Sequence, residues 1–179
     1  MRFDFKGRAY TRKIEYKKRA IDAILDTGAT NTTIDIKSLS KLMEVSAQAI
    51  FDIANNHIVR WPQNSAVITA SGNTNRTIEI KLNDIILAGH KFPELYLKLN
   101  VDNDSWKKNL SDDKSVKSHV LIGLDIIRNG RIQGNKDYIE ILDFDYETYI
   151  KEMEQKYKAD NHNIINLFET LEINKSVSS

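Results

Sequence analysis

Ala23-Ile24-Leu25-Asp26-Thr27-Gly28-Ala29-Thr30 is an apolar strand that runs straight into an Asp-Thr-Gly turn. Ile21, Ala23 and Leu25 alternate with Asp22 and Ile24, the pattern of a partly buried strand. Small residues follow the aspartate, so the backbone can turn tightly and approach a ligand. An ordinary turn would use the same residues, with Asp bonding its own backbone and Gly supplying positive φ. The tripeptide occurs once in the chain.

Two further elements give the turn a context. Downstream, Val120-Leu121-Ile122-Gly123-Leu124-Asp125-Ile126-Ile127 is an apolar run broken by one glycine. A glycine inside a buried strand marks a bulge or a close backbone approach. Between the two lie Val67-Ile68-Thr69-Ala70-Ser71-Gly72-Asn73 and Thr77-Ile78-Glu79-Ile80-Lys81-Leu82, two strands around a Ser-Gly-Asn turn. In this order, from about Lys13 to Leu142, the chain resembles the retropepsin-like aspartic proteases, the family of the retroviral proteases and their bacterial relatives. The match is tight at the two short motifs and loose between them.

The resemblance implies a mainly β fold: a closed barrel with short helices, to which this chain adds a C-terminal helical extension. It also implies an aspartic endopeptidase. Such chemistry needs two facing carboxylates, so a chain with one motif borrows the second from a copy of itself, as a homodimer. Asp26, Thr27 and Gly28 then take the catalytic positions, with the Thr27 hydroxyl cross-linking the two loops. Ala29, Thr30 and Asn31 line the cleft. Ser71, Gly72 and Asn73 form the tip of a flap over a peptide or protein substrate. Ile122, Gly123 and Asp125 belong to the strand beside the catalytic loop, and Ile126 to Arg128 start a short helix. Asp125 itself is read as the anchor of a helix or loop. Ala29 offers no hydroxyl to the carboxylate, which implies a pH optimum nearer neutral than in enzymes with a hydroxyl residue there.

The same octet admits other readings. Asp26-Thr27-Gly28-Ala29-Thr30 also fits the Asp-x-Gly-x-Thr phosphate loop of sugar kinases and actin-like ATPases. That fold needs two large lobes and further nucleotide motifs, and the sequence shows none. A retropepsin-like domain can also serve as a dimerisation or peptide-binding module that cleaves nothing.

At 179 residues the chain fits one domain with an appendage, here residues 1–143 and a helical extension with tail at 144–179. A net charge of +1 gives no global field for nucleic acid or membrane. Without cysteine there is no disulfide scaffold and no thiol nucleophile. No apolar run is long enough to span a bilayer, and Met1 to Lys6 lacks a secretory h-region, which points to the cytoplasm. The four histidines show no metal-ligand spacing, so neither metal nor cofactor is expected.

Along the rest of the chain, Arg2 to Tyr16 reads as a strand. A helix is predicted near Ser38, with that serine as N-cap, and a second over Ser46 to Ile53. Asn83-Asp84 and Ala88-Gly89-His90 read as turns, with strands at Leu95 to Leu99 and Tyr138 to Leu142. Asp102 to Lys117 is a charged insertion that a minimal relative lacks. From Tyr146, apolar residues recur at helical spacing through Tyr157, and the pattern resumes at Ile164, Ile165, Phe168 and Leu171.

Overall fold

The computed structural model describes residues 1–60, 66–68, 74–101, 120–159, 164–166 and 170. Six strands close on themselves. In order around the ring they are β6 (Thr74–Leu87), β7 (His90–Asn100), β4 (Thr33–Asp35), β8 (Val120–Ile122), β3 (Arg19–Leu25) and β2 (Ala9–Tyr16), which pairs back to β6. Closure removes the unpaired edges that an open sheet would expose. The mainly β closed barrel expected from the sequence is thus present. Outside it, β1 (Arg2–Lys6) continues the sheet from β2 to β10 (Tyr138–Leu142) and β9 (Arg131–Gly134).

Alternation explains the thin side of the barrel. In β3, Ile21, Ala23 and Leu25 are buried while Asp22 faces water. The other side is thicker. In β7 every residue from Tyr96 to Leu99 is buried, Lys98 included. One face of that strand lines the core, and helix α4 (Tyr146–Ala159) covers the other. The fit is polar as well as apolar: the Tyr96 N–H donates to the Tyr149 hydroxyl at 3.0 Å, and the Tyr157 ring stacks on that of Tyr96 at 5.3 Å. Tyr149 and Met153 share the barrel's buried cluster.

Several local expectations differ from what forms. The first strand breaks at Gly7, which takes φ 69° between β1 and β2. Helix α1 (Ile36–Met43) is capped by Asp35, whose Oδ1 accepts the Ser38 N–H at 2.7 Å, so Ser38 lies inside the helix. Helix α2 (Ala47–Arg60) runs a full turn and more beyond Ile53. Asn83-Asp84 is no turn: β6 passes straight through it, between the Asn83–Glu94 and Ile85–Phe92 pairs, with Asp84 at φ 54°. The true turn is Ala88-Gly89, both at positive φ, the backbone a two-residue hairpin needs. Ile165–Asn166, expected within a helical pattern, is instead β11, pairing parallel to β6. Two apolar neighbours suit either element, and here they meet the part of β6 that lies beyond its pairing with β2. The expected hairpin strands are present as β5 (Ala66–Ile68) against β6, with Ala66 opposite Arg76. Ser71, Gly72, Asn73 and the 102–117 insertion lie outside the described residues.

Candidate functional site: a loop clasped around Gly123

Strand β8 lies between β3 and β4, parallel to the first and antiparallel to the second. The loop joining β3 to β4, residues 26–32, must therefore pass over the end of β8. Its first hydrogen bond extends the β3–β8 ladder: the Asp26 N–H donates to the Ile122 carbonyl at 3.0 Å. The chain then turns, and the Gly28 N–H donates to Asp26 Oδ1 at 2.9 Å. Gly28 takes no positive φ, and a Cβ there would sit 3.2 Å from that same oxygen, pressing on the Asp26 carboxylate.

Gly123 is the point around which the loop closes. A Cβ on it would lie 2.5 Å from the Asn31 carbonyl carbon and 2.8 Å from the Ala29 oxygen. Its φ of −95° is ordinary, so close approach alone requires the glycine. Helix α3 (Leu124–Ile127) follows, starting two residues before Ile126. Loop carbonyls satisfy its leading N–H groups: Leu124 donates to Ala29 at 2.8 Å and Asp125 to Thr30 at 3.2 Å.

The far end of the loop is fixed by Asp125. Its carboxylate accepts the Thr32 N–H at 2.9 and 2.8 Å, the Thr32 hydroxyl at 2.7 Å and the Ile126 N–H at 3.0 Å. Thr32 is fully buried, and its hydroxyl oxygen also accepts the Gly123 N–H at 3.2 Å. Burial lifts the Asp125 pKa above its ordinary value of 3.8, and the Thr32 donors pull part of that rise back.

The Asp26 carboxylate is half-buried, and Thr27, Gly28 and Thr30 around it are exposed. Among the described residues only the Gly28 N–H bonds it. Ala29 and Asn31 are half-buried, and Asn31 Oδ1 accepts from Lys156 Nζ on α4 at 2.6 Å. Asp26 through Asn31 are thus brought together with Ile122, Gly123 and Asp125. Sequence reasoning missed Thr32 and Lys156. Each acts across about half the chain or more, and neither type nor spacing marks it out. No three metal-ligating side chains gather among the described residues.

No protein-family model and no curated protein matches the sequence. Among solved structures the chain is similar to a retropepsin-like aspartic protease from Rickettsia conorii. Identity is 15%, the TM-score is 0.47, and the match covers 78% of this chain and 95% of that one. It is also similar to the retroviral protease-like domain of Ddi1 from Leishmania major. There identity is 13%, the TM-score 0.43, and coverage 77% of this chain and 91% of that one. The resemblance is one of fold.

Proposed function

We propose that the chain is an aspartic endopeptidase that works as a homodimer, with Asp26 of each copy forming the catalytic pair. The observation that carries this reading is the state of the two carboxylates at the loop. Asp26 is half-exposed, and among the described residues its carboxylate is bonded by one N–H. Asp125 is buried, with both oxygens taken by Thr32. Asp125 is therefore structural, and a second copy supplies the partner for Asp26. The exposed Thr27 and Gly28 leave that approach open.

Two carboxylates about 3 Å apart share one proton, because both cannot ionise at that distance. The ionised Asp26 takes a proton from a water, and the water oxygen attacks the scissile carbonyl carbon. The protonated Asp26 gives its proton to the carbonyl oxygen. On collapse the C–N bond breaks, and the amine leaves with a proton from the pair. Thr30 and Asn31 line the cleft, and the β5–β6 hairpin closes over the peptide.

The test is cleavage of a diverse peptide mixture near pH 5 to 7 by the native chain and by Asp26→Asn. Cuts that disappear in the variant support the reading. No cuts from either protein favour a peptide-binding dimer without turnover, and cuts that persist remove Asp26 from the reaction.

A further inference from the structure

Helix α4 turns one face toward the site. Tyr149, Glu152, Met153, Lys156 and Tyr157 follow each other at spacings of three, one, three and one, the stripe of a helix surface. Tyr149 and Tyr157 hold β7, as described above. Glu152 accepts from Arg128 Nη2 at 2.9 Å and from Asn129 Nδ2 at 3.3 Å, tying α4 to the end of α3. Lys156 is the member of this face that touches the Asp26 loop, at Asn31. One helix thus grips both chain segments that meet around Gly123.

The chemistry of the Lys156–Asn31 contact has a direction. An ammonium has donors and no acceptor, so it bonds only the oxygen of a carboxamide. With Oδ1 held at 2.6 Å, the ammonium fixes which end of the carboxamide is oxygen and leaves Nδ2 to donate elsewhere. Lys156 is itself confined. It is half-buried, attracted by Asp125 and Glu79, repelled by Lys98 and Arg128, and lies 5.5 Å above the Tyr157 ring. A flexible surface lysine would not fix a neighbour's orientation; this one is half-buried against the Tyr157 ring.

We infer that Lys156 is a positioning residue for substrate: by holding Asn31 Oδ1 it presents Asn31 Nδ2 as a hydrogen-bond donor to a backbone carbonyl of the bound peptide. The inference rests on the peptide-cleaving reading above. It makes the C-terminal extension part of the substrate site, and it makes Asn31 a donor where an aspartate would be an acceptor.

The experiment compares the native chain with Lys156→Met, Lys156→Arg and Lys158→Met, the last on the exposed side of α4. Two readouts are taken: the side-chain amide NMR signals of Asn31, and steady-state kinetics on one peptide from the mixture. In Lys156→Met the Asn31 signals move, and KM rises about tenfold with kcat within about twofold, as for one lost ground-state hydrogen bond. Lys156→Arg recovers most of the KM, and Lys158→Met matches the native chain. A KM for Lys156→Met within about twofold of native overturns the inference. So do unmoved Asn31 signals in a chain that still cleaves, and both results leave the protease reading standing. A native chain that cuts no peptide overturns that reading, and this inference with it.

Discussion

Asp26 and Asp125 bracket one loop and live in opposite surroundings. Asp26 is half-exposed and, among the described residues, its carboxylate meets a single N–H. Asp125 is 5% exposed and meets two N–H groups and a hydroxyl. Between them Thr32 and Ile126 donate to both of its oxygens, so the carboxylate is satisfied and its geometry fixed. Around Asp26, among the described residues, one oxygen has no hydrogen bond. The buried aspartate holds the frame so that the exposed one need hold nothing.

This contrast is breakable by substitution. Asp26→Asn has the largest expected effect on function and the smallest on the fold. Cleavage falls roughly 10³-fold or more, since a carboxamide can act neither as the general base toward the water nor as the general acid toward the carbonyl. The melting midpoint changes by no more than about 0.5 kcal/mol of stability permits, because the Asn oxygen still accepts from Gly28. Gly123→Ala does the reverse. A methyl group driven into the Asn31 carbonyl must push the loop aside, at a cost of about 3 kcal/mol in denaturant unfolding.

Asp125→Asn sharpens the comparison through pH. The folded-state pKa of Asp125 is raised, so the native state binds the proton more tightly than the unfolded chain does. That contribution is fully present below pH 3.8 and is lost as pH rises through the folded value. Native stability minus that of Asp125→Asn therefore falls on going upward from pH 3.8, which a series of thermal melts reads directly. A difference that grows with pH over that range would show that the hydrogen bonds outweigh burial.

Tyr149→Phe has the mildest effect. It leaves the buried Tyr96 N–H without its partner, which costs about 1 to 2 kcal/mol by chemical denaturation and leaves the Asp26 loop in place.

How much of this could be read from the sequence depended on how local the cause was. The Asp26 turn was legible because strand, aspartate and small residues are consecutive. Gly123 was legible because a lone glycine in a buried run already signals close approach, although its neighbours Ala29 and Asn31 could not be named. The α4 apolar stripe was legible from its period. Its contact with the loop was not, since Lys156 reads as one more solvated lysine until Asn31 is beside it. Asn83-Asp84 looked like a turn because both residues favour turns. A partner strand kept β6 paired on both sides of Asp84 instead. At α1 the cap lay three residues earlier than Ser38, because Asp35 is as good a cap and ends a paired strand.

A reacting pair drawn from two chains can be detected by mixing. Native chain and Asp26→Asn are co-incubated at a fixed total concentration until subunits exchange, and peptide cleavage is measured against the native fraction. If each site needs Asp26 from both copies, mixed dimers are dead and activity follows the square of that fraction. An equal mixture then retains roughly one quarter of the native rate, as random pairing in a twofold assembly requires. A linear decline, with roughly one half retained at equal mixing, would mean that each chain carries a complete site and would contradict the account.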